Sequence, residues 1–325
     1  MKISWQCRDY QQGDEHKILA LYQQVNKREM ILPHWSWKFA QVPFGQALIK
    51  LMFDGDKLIG HYSIVPMNVQ IKKTVVEAAL SVNTMTHPDY EKQGIFSYLA
   101  EEVYEKCRQQ GFKFVYGFPN ENSYYGFTKK LGWTDLGRMT ILEKDLRVRA
   151  QREIQVVDTI HPVESFDERI DVLWETVRSD YNVIVPRTSE YLNWRFVDHP
   201  VEKYAMFVIE DGSLGVSGYL VLKTYAPGLE PKGHIVDMLC IDDKHLVRNL
   251  IRYSERYFIE NGITNLSCWA SEQSFYGKVL AGEGFKRQEF GVYFGVRTLD
   301  KKDETLRNVE QRDNWHLTMA NLDVF

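Results

Sequence analysis

The residues best suited to chemistry in this 325-residue chain lie in one stretch that ends a strand pattern and begins a helix pattern. Residues 86–97 read Thr-His-Pro-Asp-Tyr-Glu-Lys-Gln-Gly-Ile-Phe-Ser, and Gly94 falls in the predicted turn. A glycine there lets a ligand approach the backbone closely, because no Cβ stands in the way. The first N–H groups of a helix have no partner within it, and the helix dipole favours negative charge. The stretch therefore predicts a site for a pyrophosphate.

The elements before this turn must form the sheet that carries it. A helix covering residues 18–25 is expected to be capped by Asp14. The Asp-Gly turn at 54–56 joins two apolar runs, which is a strong hairpin signal. Strands are predicted at 47–53, 58–65, 69–76 and 78–85.

The elements after the turn complete the domain. Apolar residues at helical spacing predict a helix over 95–110, ended by Gly111. Alternation predicts a strand at 112–118, and a short helix over 120–130 and a strand at 138–143 follow. The predicted fold class is α/β (α+β), with a mixed central sheet flanked by helices.

This order of elements, together with two motifs, resembles the GNAT (N-acetyltransferase) superfamily. The turn is similar to the R/Q-x-x-G-x-G/A motif that wraps the pyrophosphate of coenzyme A, with Glu91 and Phe96 as departures from it. Residues 120–133 resemble the N-x-x-A…F-Y-x-K-x-G-F segment of the same family. The resemblance implies acyl transfer from acetyl-CoA, or another acyl-CoA, as cosubstrate, with no metal.

The resemblance also implies which residues contact the cosubstrate. Residues 93–97 would supply backbone donors to the pyrophosphate, a backbone N–H near Met85 would bind the acyl oxygen, and Asn120 or Asn122 would bind a pantetheine amide. The predicted cosubstrate-binding residues are Met85, Thr86, Lys92, Gln93, Gly94, Ile95, Phe96, Ser97, Asn120 and Asn122.

The usual proton-transfer residues of the family are replaced in this chain. The tyrosine that commonly serves as acid corresponds to Thr128, so Tyr124 and Tyr125 are the alternatives, unless both are packing aromatics. The usual glutamate of the strand before the turn is replaced by Ser81 and Asn83. Neither is a good base alone, so a water relay or another residue is needed. The predicted catalytic residues are Tyr124, Tyr125 and Asn83.

The second half of the chain repeats the first at a separation of 151 to 157 residues, too long for a solenoid repeat. The matching positions are Trp37 and Trp194, Phe39 and Phe196, Pro43 and Pro200, Gly55 and Gly212, Tyr62 and Tyr219, and segments 119–126 and 270–277. The repeat predicts two tandem GNAT-like domains. The predicted limits are 1–146 for the acyl-CoA-binding domain, 147–156 for a linker, 157–300 for a degenerate copy and 301–325 for a tail.

The second copy departs from the first at the turn. Residues 244–248, Lys-His-Leu-Val-Arg, lack the glycine, so no pyrophosphate site is expected there, and His245 is interpreted as a solvated side chain. The tail alternates apolar and polar residues from Trp315, which predicts a strand docked on a domain edge.

The composition and charge of the chain limit the kinds of protein it can be. Hydrophobic residues make up 44% and charged residues 26% of the chain, as in ordinary globular proteins. The net charge of −4 implies no general affinity for nucleic acid or for an acidic membrane. The four cysteines have no metal-type spacing and are expected to be free thiols. Without a signal-peptide pattern or a long apolar run, a cytoplasmic protein is expected.

These observations favour an acyl-CoA-dependent N-acyltransferase that acts on a primary amine of a small molecule or amino sugar. A non-catalytic module that senses acyl-CoA is the first alternative, because the family's acid and base are missing. An aminoacyl-tRNA-dependent, peptide-bond-forming transferase with tandem domains is the second. The retained turn and the acidic net charge count against the second alternative. The sequence predicts no oligomeric state.

Overall fold

The described part of this computed structural model forms two compact units. It comprises residues 5–147, 159–211, 215–226, 228, 230–300 and 302–322. The described residues of Met1–Gly137 and Gly291–Gln311 form unit 1, and those of Arg138–Phe290 and Arg312–Phe325 form unit 2. Each unit thus contains a segment from the other half of the sequence. The predicted limits at 146, 157 and 300 stay a prediction, and most of the predicted linker and Gly212 lie outside the described residues.

Unit 1 is built on a mixed sheet. Its strands are β1 (Gln6–Asp9), β2 (Leu48–Asp54), β3 (Lys57–Ile71), β4 (Thr74–Thr86) and β5 (Phe114–Gly117). Its helices are α1 (Glu15–Asn26), α2 (Leu32–Phe39), α3 (Ile95–Gln110) and α4 (Glu121–Tyr125). Strands β1 to β4 pair antiparallel in chain order, and β5 is parallel to β4. Residues Gly295–Thr298 then pair antiparallel with β5.

Helix α3 covers one face of this sheet because it buries one apolar stripe. Its buried residues Leu99, Val103 and Cys107 belong to a core that also contains Ile59 and Val115. The packing is close at Gly60, where an added Cβ would lie 2.4 Å from the Ile95 side chain. The predicted helix and its glycine end are confirmed, since Gly111 has φ +90° as the C-cap.

The predicted separate strands at 58–65 and 69–76 are wrong, because β3 runs unbroken through Pro66. The last pair between β2 and β3 is Leu48 with Ile64, so the missing N–H of Pro66 breaks no bond to β2. The chain turns at Lys72, which takes φ 55°. A lysine-rich turn carries no glycine or asparagine signal, which explains the error.

Asp14 precedes α1 as predicted, but its side chain makes no capping bond to the helix. Its carboxylate instead pairs with the Arg8 guanidinium, with Nη1 2.6 Å from Oδ2. This hydrogen bond lowers the pKa of Asp14. A cation on a neighbouring strand has therefore replaced the helix N–H as the partner.

Unit 2 likewise combines helices with strands that pair in mixed directions. Its strands are β6 (Thr134–Asp145, from Arg138), β7 (Ile160–Val163), β8 (Val183–Ile184), β9 (Ala205–Asp211), β10 (Gly215–Tyr225), β11 (Lys232–Cys240), β12 (Asn265–Cys268) and the first part of β13 (Lys286–Thr298). Its helices are α5 (Glu168–Val177), α6 (Ser189–Leu192), α7 (Lys244–Glu260) and α8 (Phe275–Gly282). Strand β11 is antiparallel to β10 and parallel to β12, which pairs antiparallel with the end of β6.

The tail does not form the predicted strand. Trp315 makes one isolated bridge to Val183, and a short turn follows at Met319–Asn321. Two buried arginines bind the tail instead. Arg195 donates to the carbonyl oxygens of Ala320 and Leu322, and Arg187 donates to the Thr318 hydroxyl and the Asn321 side chain. These hydrogen bonds hold the chain in turns rather than in a ladder.

Two further expectations concern the whole chain. All four cysteines are free thiols, as predicted. Within the described residues, no helix has the length and apolar character needed to cross a membrane.

Candidate active site

A gap opens between β4 and β5 in unit 1. The parallel pairing joins residues 79–81 of β4 to residues 115–117 of β5 and ends there, whereas β4 continues to Thr86. The backbone groups of β4 beyond Ser81 that face this side are therefore left for another partner. An extended ligand with amide groups fits such an edge as an added strand would.

A β-bulge shapes β4 at this gap. His61 pairs with Met85 and Ser63 pairs with Val82, so both Asn83 and Thr84 stand opposite a single residue of β3. Asn83 takes φ 49°, a conformation that asparagine tolerates better than most residues. The predicted catalytic residue Asn83 is thus a backbone-shaping residue at the mouth of the gap.

The backbone donors at the gap can be assigned from the ladder. The His87 N–H donates to the Ile59 carbonyl oxygen across 2.9 Å. Because N–H groups alternate between the two edges of a strand, those of Thr84 and Thr86 point away from β3 and towards the gap. The predicted donor near Met85 is therefore best assigned to its two neighbours, while the Met85 side chain is buried.

The predicted phosphate turn lies directly after β4. Lys92 and Gly94 both take positive φ, 62° and 86°, which curls the backbone before α3 begins. Gly94 gives α3 no side-chain cap, and the Tyr98 N–H makes the bond back to the Gly94 carbonyl. A Cβ on Gly94 would meet nothing within 4 Å. The start of this 16-residue helix is thus open to an anion.

The side chains of the turn have different roles. Lys92 and Gln93 are exposed, whereas Ile95 is buried in the core. Phe96 packs against Phe127 with a 5.1 Å centroid separation, and a Cβ on Gly126 would lie 2.8 Å from its ring. Phe96 therefore joins the turn to the following segment, and only its backbone remains for a ligand.

Helix α4 forms the other side of the gap. The Asn120 side chain accepts hydrogen bonds from the N–H groups of Asn122 and Ser123, and the Ser123 hydroxyl accepts one from the Asn120 N–H. This capping box fixes the start of the helix. The Asn120 side-chain oxygen is consequently occupied, while the Asn122 side chain is exposed.

The two candidate tyrosines have different surroundings. The Tyr124 hydroxyl donates to the Asp135 carboxylate, and its ring lies 4.1 Å from the Tyr293 ring. The hydrogen bond to Asp135 raises the pKa of Tyr124, which makes it a poorer proton donor. Tyr125 is 64% exposed. Thr128, at the position of the family's acid, donates its hydroxyl to the Tyr124 carbonyl oxygen over 2.9 Å.

Sequence reasoning missed His61, whose imidazole lies beside the bulge. Its Nδ1 is 2.7 Å from the Asn83 carbonyl oxygen, and its Nε2 is buried without a partner among the described residues. Burial lowers the pKa of His61 to about 4, so the ring is neutral at neutral pH. Since a carbonyl only accepts, the proton is assigned to Nδ1, and Nε2 carries the free lone pair. A lone histidine within a long apolar strand was the available signal.

A hydrogen-bonded chain of buried side chains ties β4 to α3. Trp133 donates to the Tyr104 hydroxyl at 2.9 Å, Tyr104 and Tyr62 are 2.6 Å apart, and Tyr62 is 2.9 Å from the Ser81 hydroxyl. Ser81 is the last residue of β4 paired with β5. This chain therefore fixes the point at which the two strands part.

A separate cavity of about 930 Å³ lies at the other end of α3, around Gly111 and Lys113. It contains none of the predicted site residues. It is large, but it lies away from the gap and from the open start of α3.

In the matching region of unit 2, side chains of the protein occupy the helix start and the strand edge. Helix α7 is capped by Asp243, whose carboxylate accepts the His245 N–H at 2.7 Å. The Tyr276 hydroxyl accepts from the Cys240 N–H and donates to the Cys240 carbonyl oxygen, at 3.0 and 3.3 Å. A carboxylate thus occupies the place of the phosphate, and a tyrosine occupies the strand edge.

Comparisons with known proteins identify a domain of this chain and proteins that share its fold. No curated protein sequence matches the chain. Residues 6–135 match a family model described as an acetyltransferase (GNAT) domain. A probable N-acyltransferase of Enterococcus faecalis V583 has a similar structure, with a TM-score of 0.72 and 12% identity, over 91% of this chain and 72% of that protein.

Two other solved structures are also similar. A GCN5-related N-acetyltransferase of Anabaena variabilis has a TM-score of 0.70 and 13% identity over 91% of this chain and 73% of its own. Saccharomyces cerevisiae N-myristoyltransferase with bound myristoyl-CoA has a TM-score of 0.62 and 9% identity over 91% and 78%. At these identities the likeness shows the fold.

Residues 6–135 of the chain therefore form a GNAT acetyltransferase domain, and the similar solved structures show the same fold over most of the chain. The predicted fold class, mixed α/β with sheets flanked by helices, is confirmed.

Proposed function

We propose that the protein is an N-acyltransferase that binds an acyl-CoA in unit 1 and moves its acyl group to a primary amine of a small molecule or amino sugar. One observation carries the proposal: the unpaired edge of β4 runs directly into the open start of α3. Pantetheine amides suit the first feature and a pyrophosphate suits the second. Acetyl-CoA is the proposed cosubstrate, and no metal is required.

The acyl oxygen is bound by backbone donors at the bulge. Thr84 and Thr86 turn their N–H groups to the gap, and the first of them lies beside Asn83. A fixed donor of this kind stabilises the negative charge that develops on the oxygen when an amine attacks the thioester. The bulge therefore has a catalytic purpose that the side chain of Asn83 does not need to share.

His61 is the proposed general base. A primary amine has a pKa of about 10.4 and must lose a proton during attack. The neutral ring offers Nε2 as the acceptor, while the bond from Nδ1 to the Asn83 carbonyl oxygen orients it.

Tyr125 is the proposed acid for the departing thiolate. Tyr124 already donates to Asp135, and its raised pKa makes proton release harder. Tyr125 precedes Gly126, against which Phe96 of the phosphate turn packs. Its hydroxyl therefore belongs to the segment that faces the bound cosubstrate.

Sensing of acyl-CoA without catalysis is the second candidate, and Thr128 favours it. The residue at the family's acid position donates its hydroxyl to the protein backbone, so it has no proton to spare for a thiolate. The transferase that uses aminoacyl-tRNA remains the weaker alternative, because the open helix start is retained.

The test is acyl transfer measured by thiol release, with acetyl-CoA and longer acyl-CoAs against a panel of amines and amino sugars. We expect amine-dependent thiol release with at least one combination. If acyl-CoA binds but no amine causes thiol release, the result would favour the sensing module over the transferase. Binding of neither CoA nor acyl-CoA would contradict both.

A further inference from the structure

Unit 2 contains a cavity of about 430 Å³ that the acyl transfer in unit 1 does not use. It lies between the end of β11 at Cys240 and the start of α8 at Phe275, with the tail at Trp315 as a further wall. Its volume is within the range of small-molecule sites. By the internal repeat, it corresponds to the gap of unit 1.

The inner wall of this cavity is aromatic. The His316 ring packs between Tyr181 and Tyr276, with centroid separations of 4.7 and 5.4 Å, and the two tyrosine hydroxyls are 3.2 Å apart. Trp315 completes the wall and is buried. Flat rings of this kind attract a cation through their faces.

The rim of the cavity is acidic. Asp180, Asp242 and Asp313 line it, all three are exposed, and none has an ion-pair partner among the described residues. The described lining contains no lysine or arginine. The buried Arg187 nearby is neutralised by Asp237, at 2.8 Å. Arg312 offsets part of the charge of Asp313, and the remaining carboxylates still favour a positive ligand at the opening.

His316 supplies a second, independent sign of a ligand. Its Nε2 is buried and has no hydrogen-bond partner among the described residues. Burial lowers the pKa of His316 to about 4, so at neutral pH the ring adds no competing positive charge. A buried polar atom without a partner is costly, and a bound polar group would remove that cost.

The charge at this place is inverted relative to unit 1. Gly94 leaves the start of α3 open to an anion, whereas Asp242 and Asp243 put carboxylates at the start of α7. The Tyr276 hydroxyl also occupies the backbone edge of Cys240. The same architectural position is thus unsuited to pyrophosphate and pantetheine, and suited to a cation.

We propose that this cavity binds a small organic cation with a flat apolar body, an arylalkylamine in chemical class. The ammonium lies between the rim carboxylates of Asp180, Asp242 and Asp313 and the Nε2 of His316, to which it donates, and the ring packs against the wall formed by Tyr181, Tyr276 and Trp315. This site is independent of the CoA site in unit 1 and binds without acyl-CoA.

Calorimetry of the full chain without CoA tests the proposal with three matched probes: 2-phenylethylamine, 2-phenylethanol and 3-phenylpropionate. The amine should bind at least about tenfold more tightly than the alcohol, and the carboxylate should not bind, because only the charge at the rim differs. Raising the salt concentration should weaken binding of the amine. Equal affinities for amine and alcohol, or no binding of the amine at millimolar concentration, would overturn it.

Substitutions of the carboxylates that line the cavity test whether the amine binds there. The double variant Asp242→Asn with Asp313→Asn should bind the amine at least about fivefold more weakly, since each exposed carboxylate contributes a modest attraction. Asp198→Asn, an exposed carboxylate of unit 2 outside the lining, should leave it unchanged. An unchanged affinity in the double variant would overturn the assignment. The amine should still bind to Gly94→Ala, so that failure of the CoA proposal and failure of this one are distinguishable.

Discussion

The Nδ1 atom of His61 lies 2.7 Å from the carbonyl oxygen of Asn83, which joins a buried imidazole of β3 to the bulge of β4. The bond explains how Asn83 is held at φ 49° and why the ring keeps its lone pair on Nε2. It also places a neutral base beside Asn83, the residue that precedes the backbone donor Thr84.

Replacing His61 should lower the turnover rate and leave the affinity for the cosubstrate nearly unchanged. His61→Gln keeps a donor for the Asn83 carbonyl but supplies no base, so turnover should fall about 10²–10⁴-fold. The affinity for CoA should stay within about twofold. Steady-state acyl transfer and calorimetry give the two readouts. His234→Gln is the matched control, because His234 is also buried with a pKa near 4 but lies in unit 2. Full turnover in His61→Gln would show that His61 is not the general base.

The two tyrosines of α4 should behave differently. Tyr125→Phe should lower turnover about 10²–10⁴-fold if its hydroxyl protonates the thiolate. Tyr124→Phe should lower turnover less, because the hydroxyl of Tyr124 is already bonded to Asp135. Thiol-release kinetics on both single variants and on the double variant measure this. Unchanged turnover in all three would place the acid elsewhere or make it dispensable.

Three buried histidines should make the stability depend on pH. Burial lowers the pKa values of His61, His234 and His316 to about 4, below the usual 6.5. The unfolded chain therefore binds more protons between these values, and stability is complete above pH 6.5 and lost as the pH falls towards 4. Each histidine contributes a slope of up to about 1.4 kcal/mol per pH unit.

Urea unfolding at pH 7, 6 and 5 measures this slope. Since carboxylates also titrate at the lower end, the comparison is with His234→Gln, which should show a shallower slope than the parent chain. Parallel pH profiles for the two would contradict the lowered pKa of His234.

Arg187 should be critical for the stability of unit 2. Its guanidinium is fully buried, pairs with Asp237 at 2.8 Å and binds the tail at Thr318. Arg187→Met would leave the Asp237 carboxylate buried without its cation, at a cost of about 3–5 kcal/mol in unfolding free energy. Arg169→Met, which breaks exposed pairs to Asp167 and Glu210, should cost about 0–1 kcal/mol. Denaturant unfolding compares them, and equal losses would contradict the role of Arg187.

The turn and its helix could be predicted because their signals are local. Gly94 and Gly111 mark the two ends of α3, and the apolar spacing between them needs no tertiary information. The Asp-Gly hairpin at residues 54–56 is local in the same sense, and the structure pairs Asp54 with Lys57. The repeat between segments 119–126 and 270–277 depended only on order and spacing.

The site residues that were missed depend on long-range pairing. His61 becomes relevant only because the register of β3 puts it opposite Met85, and a bulge that alters this register leaves no clear sequence signal. Asp14 and the tail were misread for a related reason. Arg187 and Arg195 bind the tail from far along the chain, and Arg8 binds Asp14 from the strand before α1, so a charged partner positioned by the fold outweighs a local pattern.

The stoichiometry of CoA binding, measured by calorimetry on the full chain, tests the central claim most directly. We predict one CoA per chain, lost in Gly94→Ala because the added Cβ occupies the space of the pyrophosphate at a residue with φ 86°. Gly111→Ala is the matched control, since it strains the other end of α3 at φ 90° with equally open surroundings. It should still bind one CoA. Two CoA molecules per chain, or unchanged binding in Gly94→Ala, would contradict the account.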